Sequence, residues 1–365
     1  MPSGKGTRRW LRRQPAMRKV LLALLPCLIG SIYYFGWRCA AMAVVAGAVG
    51  FLAEWLFCRT RKEPVSEAVF VTALLFTLVM PPTVPWHVLI VGIAFAVVFS
   101  KEVFGGFGRN IFNPALAGRC FVYVCFPVAL TGTWAPPAQG PLGALDRWST
   151  VSGPDAITSA TPMAHLKAGR IVPTSEPDAA TTIPFQIERD EVVHVRRSSL
   201  IRSLAFGRIS GTAGVTSALL ILIGGVYLFW TKTASRTIIL SVIITYAVLN
   251  AVLNAVLTWA GVPRFYGPLT PVLGGGFLLG AFFMATDPIS SPRTEVGRVI
   301  YGIIIGTGTT VIRNFSIFNG GLMFSILLGN MFAPLIDYTV KAWAAAAKAK
   351  SSGNASEPDN QESPA

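Results

Sequence analysis

Long apolar runs separated by short polar loops decide what this chain can fold into. Hydrophobic residues make up 52% of the 365 residues, and only 13% are charged. A helix needs roughly 20 mostly apolar residues to cross a bilayer, and several runs approach that length. Because lipid offers no hydrogen-bond partner to the backbone, such runs form helices. The sequence therefore predicts an all-α integral membrane protein and excludes a soluble single-core fold.

About ten transmembrane helices are predicted, five in each half of the chain. The predicted spans are 19–36, 39–57, 66–80, 86–103 and 115–131, then 212–230, 236–258, 272–286, 297–312 and 320–340. Several are short and have Pro or Gly at their ends, for example Pro81-Pro82 and Gly274 to Gly276. This pattern is typical of discontinuous helices, which often form binding sites.

The two halves share a weak pattern. In the first half, the segment Met80 to Pro85 is followed by a span, a Gly/Asn-rich break and another span. In the second half, Phe283 to Pro292 is followed by a span, the break Asn314 to Gly321 and another span. Five spans per half would turn the second copy upside down, so we expect two five-helix inverted repeats. Such a repeat predicts a site near the membrane midplane.

The distribution of Lys and Arg predicts the orientation of the chain. With the N-terminus inside, most of them fall in cytoplasmic segments, and the opposite short loops contain Arg38, Arg264 and Arg313. Both termini are therefore predicted to be cytoplasmic, in a bacterial inner membrane. The predicted parts are a basic N-terminus (1–18), a first repeat (19–131), a periplasmic loop (132–211), a second repeat (212–340) and a disordered tail (341–365).

Several function classes are disfavoured. The net charge of +14 is spread over separate loops and makes no basic patch of the kind that binds nucleic acid. No glycine-rich nucleotide motif or P-loop occurs in a suitable context, so nucleotides would bind to partner subunits. The three histidines, His87, His165 and His194, are too dispersed for a haem pair or metal cluster. We predict no metal site and no catalytic residue.

Acidic residues inside spans are candidates for function because burying a charge in a membrane is costly. Glu54, Asp287 and Asp337 lie near predicted span ends, and Glu67 and Glu102 are weaker candidates. Carboxylate oxygens suit a hard cation such as Na⁺. The alternative is that these acids cap helices or pair with nearby basic residues.

Four segments carry a resemblance to a known family. They are Asp155 to Lys167 (DAITSATPMAHLK), Lys101 to Arg119 (KEVFGGFGRNIFNPALAGR), Gly276 to Pro288 (GFLLGAFFMATDP) and Leu327 to Asp337 (LLGNMFAPLID). With these segments the chain resembles the flavin-carrying membrane subunits of the sodium-pumping NADH:quinone reductase and of the related Rnf complex, from about Phe51 to Tyr338.

The resemblance implies two flavins. FMN would be attached to Thr161 by a phosphoester bond, within a motif in which Thr158-Ser159 stands where the family has Ser-Gly and Ala160 is retained. Noncovalent riboflavin would lie at Asn110 and Asn113. The alternative for these two asparagines is that they satisfy the loose backbone of a re-entrant turn.

The resemblance also implies that Glu54, Asp287 and Asp337 serve sodium uptake, and that the fold is similar to that of urea and ammonium channels. One departure is Val215, which stands where the family usually has a Glu. The expected partners are the bilayer, the flavin and iron–sulfur subunits of the same complex, Na⁺ or H⁺, a flavin transferase for maturation and, as a further candidate, quinone.

The expected function is an electron relay coupled to ion translocation, in which the flavins perform the redox chemistry. We favour the NADH:quinone reductase branch because of the segment from Glu63 to Pro82 and the KEVFGG sequence. The alternative is the D subunit of the Rnf ferredoxin:NAD oxidoreductase complex, which the short N-terminus and total length favour. A more distant alternative is a flavin-free channel or transporter for small solutes.

Overall fold

The computed structural model describes residues 10–132, 134–150, 162–174, 176, 178–184, 187, 191–259, 269–316 and 320–354. Within these residues the chain is mainly helical, with two short parallel sheets of two strands each. The all-α membrane architecture predicted from the apolar runs is confirmed.

The first half contains five predicted spans, which the structure describes as follows. The elements are β1 (Leu11–Arg12), α1 (Pro15–Phe35), α2 (Arg38–Arg61), β2 (Val65–Ser66), α3 (Ala68–Leu78), α4 (Trp86–Val97), a first π-helix, π1 (Val98–Glu102), α5 (Pro114–Cys125) and α6 (Pro127–Thr131). Strands β1 and β2 pair in parallel, which holds the start of the chain beside the end of α2.

The connecting segment and the second half follow. The elements are α7 (Pro162–Lys167), β3 (Ile171–Thr174), β4 (Val193–Arg196), α8 (Arg197–Phe206), α9 (Ala218–Trp230), α10 (Arg236–Trp259), α11 (Leu269–Leu273), α12 (Phe277–Leu279), a second π-helix, π2 (Gly280–Met284), α13 (Glu295–Phe315) and α14 (Gly321–Asn354). The segment between the halves has a small apolar core of its own around Ile171, Val195 and Leu200.

Among the described residues, five helices are long and apolar enough to cross a membrane. They lie within α1, α2, α10, α13 and α14. Their outer faces carry exposed large apolar side chains, among them Ile29, Val44, Leu52 and Ile244. A soluble monomer rarely exposes such continuous apolar surface, so these faces are suited to lipid.

The other predicted spans are shorter or interrupted, and two of them lie inside the bundle. Helix α3 is buried on nearly all sides, and every residue from Phe277 to Met284 is buried. A short helix that does not span the bilayer alone is stable there because the long helices shield it from lipid. The polar backbone groups at its ends then find hydrogen-bond partners within the protein. The discontinuous helices predicted from the Pro and Gly residues are therefore present.

Neighbour relations repeat between the two halves. In the first half α2 packs against α3 and α4, and α4 packs against α5. In the second half α10 packs against α11 and α13, and α13 packs against α14. This order is what the predicted repeat requires.

The halves meet along α1 and α9, and small residues permit the close contact. A Cβ atom added at Gly224 would lie 1.9 Å from the carbonyl oxygen of Ala23. Any larger residue there would push the two helices apart, as is typical of glycine at membrane helix interfaces.

Some predicted boundaries were wrong. Helix α9 starts at Ala218 rather than at residue 212, because the Ser217 hydroxyl caps it by accepting from the Leu220 amide. The predicted span 115–131 breaks at Phe126, just before Pro127. The tail predicted to be disordered from residue 341 continues as α14 to Asn354, since its alanine-rich sequence favours helix.

Candidate functional site

Two cavities lined by described residues lie between the halves, at opposite ends of the bundle. We define the outer end as the one that carries the segment 132–211, and the inner end as the one that carries the N-terminal segment. The outer cavity measures about 250 Å³ and is lined by residues including Arg119, Tyr123, Lys167, Thr212, Tyr246 and Arg313. The inner cavity measures about 80 Å³ and is lined by residues including Met17, Lys101, Phe107, Asn110, Asn113 and Asp287.

The outer cavity has a cationic lining. Arg119, Lys167 and Arg313 face it, and its described lining residues include no Asp or Glu. Arg313 is held in place, since it donates to the Tyr246 hydroxyl at 3.0 Å and to the Gly275 carbonyl at 2.5 Å. Lys167 donates to the Ser316 carbonyl. The chemistry of this lining suits a negatively charged, largely apolar ligand.

Arg119 differs from the other two cations of the outer cavity. Its Nε, like that of Arg313, is buried without a hydrogen-bond partner among the described residues, but Arg119 has no counterpart to the bonds that hold Arg313 to Tyr246 and Lys167 to Ser316. An unpaired buried donor is costly, which makes a ligand its natural partner.

The predicted FMN attachment site falls outside the described residues. Thr161, Ser159 and Ala160 all lie in the interval 151–161, of which the structure describes nothing. The next residues do bear on the prediction, because α7 begins at Pro162. Ala164, Leu166 and Lys167 of α7 line the outer cavity. A group attached to Thr161 would thus start one residue from an element of the cavity wall.

His165 lies within the same helix. Its side chain is 4% exposed, and neither ring nitrogen has a hydrogen-bond partner in the described chain. Burial, and then the nearby Arg170, lower the pKa of His165 from its ordinary value of 6.5. The imidazole is therefore neutral at neutral pH. Burial likewise lowers the pKa of Lys167.

Glu54 is part of a buried ion pair. Its Oε2 lies 2.6 Å from Lys101 Nζ, and each side chain is 2% exposed. Lys101 also donates to Ser66 Oγ at 2.8 Å, and the Ser66 amide donates to Glu54 Oε1 at 2.9 Å. The end of α2, the β2 strand and π1 meet at this point. The sequence predicted Glu54 as an ion ligand but did not identify Lys101 as its partner.

Asp287 faces the inner cavity, directly after π2. Its carboxylate accepts from Ser290 Oγ at 2.9 Å and from the Ile289 amide at 3.4 Å. No Lys or Arg of the described chain lies within ion-pair distance of it. Asp287 and the Glu54–Lys101 pair are therefore brought to the same end of the bundle, since Lys101 lines the same cavity.

Asp337 lies apart from both cavities. Its Oδ2 accepts from the Arg293 amide at 2.8 Å, and its Oδ1 accepts from the Thr294 amide at 3.0 Å and hydroxyl at 2.7 Å. These bonds fasten the start of α13 to α14. The alternative that this acid supports a helix end fits its surroundings better than direct contact with a translocated ion.

Asn113 and Asn110 serve the break between π1 and α5. Asn113 Oδ1 caps α5 by accepting from the Ala115 and Leu116 amides at 3.1 and 3.3 Å, and its Nδ2 donates to the Met284 carbonyl at 3.3 Å. Asn110 Nδ2 donates to the Phe112 carbonyl at 3.1 Å. The amides thus satisfy loose backbone, which is the alternative that the sequence left open.

Asn330 is a further buried residue that the sequence did not single out. Its Oδ1 accepts from the Asn113 amide at 3.3 Å, and its Nδ2 donates to the Ser290 carbonyl and the Tyr301 hydroxyl at 3.1 and 2.8 Å. It joins the breaks of the two halves. The signal that could have found it is an Asn within an apolar span, where a polar side chain needs a partner.

A family model and several individual relatives match this chain over most of its length, and all of them concern the same family of proteins. Residues 8–345 match the NQR2, RnfD, RnfE family. The D subunit of the ion-translocating oxidoreductase complex of Alcanivorax borkumensis is 33% identical over 331 residues, which cover 88% of this chain and 89% of that protein. The protein of the same name in Shewanella amazonensis is 33% identical over 343 residues, covering 89% and 91%. The one in Escherichia coli is 33% identical over 332 residues, covering 88% and 91%.

Proposed function

Because this chain belongs to the NQR2, RnfD, RnfE family, we propose that it is the D subunit of an Rnf-type ion-translocating oxidoreductase complex. In this role it relays electrons through bound flavin and couples their passage to movement of Na⁺ or H⁺ across the membrane. The other subunits of the complex are its partners and supply the nucleotide and iron–sulfur sites. Family membership is the observation that carries this proposal.

The relatives favour the Rnf branch over the quinone reductase branch. The proteins from the three bacteria are each named as the D subunit of an ion-translocating oxidoreductase complex, and each matches across nearly its whole length. The preference for the NADH:quinone reductase, which rested on short segments of the first half, is thus less well supported than its alternative. Quinone was expected as a partner mainly because of the quinone reductase branch, so this expectation is also less well supported.

Covalent FMN at Thr161 is supported by the outer cavity. The cavity lies beside α7, its walls are mostly apolar with Tyr123 and Tyr246 among them, and Arg119 offers an unpaired buried donor within the described chain. These properties fit an aromatic ring system that gains negative charge on reduction. When bound, FMN supplies one- and two-electron transfer. Arg119 would balance the added charge, and Arg313 would keep the Gly275 turn in position.

Riboflavin at Asn110 and Asn113 is not supported in the same way. The inner cavity of about 80 Å³ has only about a third of the volume of the outer cavity, which measures about 250 Å³. Both the oxygen and the nitrogen of the Asn113 side chain are bonded to protein. The residues present do not fit a whole flavin in this arrangement, and no electron-transfer step is assigned to one there.

The ion path is proposed to run through the inner end of the bundle. Glu54 and Asp287 offer carboxylate oxygens at the edge of a cavity between discontinuous helices, which is where coupled transporters bind their ions. Asp337 would act indirectly, by holding the start of α13. We further propose an inner-membrane location with both termini cytoplasmic. The distribution of Lys and Arg among the short loops supports this orientation.

The experiment that tests the function is in-gel fluorescence of the denatured chain under ultraviolet light, after coexpression with a flavin transferase. We expect a fluorescent band in the wild type and in Thr158→Ala, and none in Thr161→Ala. Thr158 is the matched control because it is a hydroxyl residue of the same motif. A dark wild-type band, or a fluorescent Thr161→Ala band, would refute covalent FMN at this residue.

A further inference from the structure

The buried pair of Lys101 and Glu54 calls for an explanation beyond stability. Both side chains are almost fully removed from solvent. The free-energy cost of desolvating two charges offsets most of the electrostatic attraction between them. An apolar pair of similar size would pack as well. Charges that are kept inside a membrane protein usually serve ion or proton movement. Lys101 also belongs to π1, and π-helical turns frequently occur at functional sites.

The charges around this pair do not balance. Arg18 is paired with Glu67, Arg61 with Glu102 and Lys101 with Glu54. Asp287 is left over, since its described partners are only the Ser290 hydroxyl and the Ile289 amide. With all side chains in their ordinary ionised forms, the four buried or half-buried carboxylates of Glu54, Glu67, Glu102 and Asp287 therefore exceed these three cations by one, whereas Glu63, which also contacts Arg61, is exposed to solvent. One additional cation at this end of the bundle would neutralise this group of charges.

Lys101 is placed to respond to such a cation. Its side chain lines the inner cavity, and so do Asp287 and Phe107. Lys101 Nζ lies 5.7 Å from the centre of the Phe107 ring, so an aromatic face adjoins the ammonium on the cavity side. The flexible four-carbon stem of lysine allows the ammonium to change partners while its backbone stays fixed.

We propose that Lys101 is a tethered cation that exchanges between Glu54 and Asp287. A sodium ion then binds at Glu54 only when the Lys101 ammonium has moved across the inner cavity to Asp287. The oxygen ligands left for the ion are the Glu54 carboxylate and Glu102 Oε1. The latter is buried and accepts no hydrogen bond within the described chain. Oxygen donors of this kind are those that a hard cation prefers.

This inference rests on the proposed ion-translocating function and specifies how its ion site is regulated. In the present structure Lys101 occupies the carboxylate, which prevents a sodium ion from binding. After the exchange Glu54 is paired with the ion and Asp287 with Lys101, so the group is neutral. Uptake of one ion thus requires one movement of one side chain.

The test is a sodium titration of the full-length chain within its purified complex. The unfolding temperature is measured against NaCl, with choline chloride keeping the ionic strength constant, because an ion that binds only the folded state raises that temperature. We expect Lys101→Met to lower the sodium concentration at half effect by at least about tenfold, equivalent to about 1.4 kcal/mol. The double variant Lys101→Met/Glu54→Gln should lose the sodium effect.

Two further variants keep the test decisive if Lys101→Met fails to fold. Ser66→Ala removes one hydrogen bond that holds the ammonium on Glu54 and preserves every charge, so it should also tighten sodium binding. Asp287→Asn removes the second partner of the ammonium and should weaken sodium binding. A purely structural Lys101 would instead give weaker binding in Lys101→Met and Ser66→Ala.

The exchange of Lys101 is refuted if sodium binding is unchanged or weaker in both Ser66→Ala and Lys101→Met, or if the wild type and all variants show no sodium effect. Failure of the proposed function would be seen elsewhere, as absence of flavin fluorescence in the wild type. The sodium titration needs no flavin readout, so the two failures are distinguishable.

Discussion

The two cavities lie in the same bundle, yet their charges are opposite. The outer cavity is lined by Arg119, Lys167 and Arg313 and by no described acid, whereas the inner cavity adjoins the carboxylates of Glu54 and Asp287. The outer cavity is also about three times larger, 250 against 80 Å³. A cationic, roomy site suits an anionic organic cofactor, and a small acidic site suits an inorganic cation. Corresponding helix breaks can therefore serve different chemistry.

The largest expected effect concerns the buried charges at the inner end. In choline chloride, Lys101→Met should destabilise the protein by about 3–5 kcal/mol, because it leaves the Glu54 carboxylate buried and unpaired. Lys101→Met/Glu54→Gln should recover most of this loss. Unfolding monitored by intrinsic fluorescence measures both.

The matched control for that pair is Arg147→Met. Arg147 and Asp146 form a pair at the outer end in which both side chains are more than half exposed. Its loss should change stability by less than about 1 kcal/mol, as is usual for surface pairs. Equal effects of the two Met variants would contradict the contrast between buried and exposed charges.

The second prediction concerns Asn113, which caps α5 beside the inner cavity. Asn113→Ala should destabilise the protein by about 1–2 kcal/mol, the usual value for loss of an N-cap. Asn113→Ser should lose less, since a serine hydroxyl can accept from the same amides. The free energy of unfolding measures the difference. If the two variants were equally destabilised, capping of α5 would not be the main contribution of Asn113 to stability.

The third prediction concerns the cationic lining of the outer cavity. If FMN binds as proposed, Arg119→Gln should lower its one-electron midpoint potential by about 60 mV, a tenfold change in equilibrium. The reason is that Arg119 has an uncommitted buried donor within the described chain, which favours the reduced, more negative flavin. Lys167→Gln serves as the control and should shift the potential less, because Lys167 already donates to Ser316. Redox titration of visible absorbance gives both values, and a larger shift in Lys167→Gln would refute this role of Arg119.

The smallest effect expected is a dependence on pH at the outer end. Because burial lowers the pKa of His165, the unfolded segment takes up a proton below about pH 6.5 that the folded segment excludes. Stability of α7 is therefore complete above this pH and declines as the pH falls. Hydrogen exchange of α7 amides at pH 7.5 and 5.5 measures it. His165→Leu should abolish the decline, and His194→Leu, at an exposed position, should leave it unchanged.

The sequence by itself determined the membrane class, the order of the apolar helices and the family. Apolar runs can take only a few forms in lipid, because every backbone group must be bonded within the protein. It also indicated Glu54 and Asp287 as candidates for function, since burying an acid in a membrane span costs free energy. It did not predict that α14 continues past residue 341 or that α9 starts at Ala218, because caps and tertiary contacts decide helix ends.

Only the tertiary structure decided which side chains meet. Lys101 and Glu54 are 47 positions apart, and Asn113 and Asn330 are 217 positions apart, so no spacing in the sequence connects them. The structure also separated Asp337 from the other two candidate acids by committing it to the start of α13. The physical reason is that a charge within a span indicates only that it needs a partner, whereas the packing of discontinuous helices decides which partner it finds.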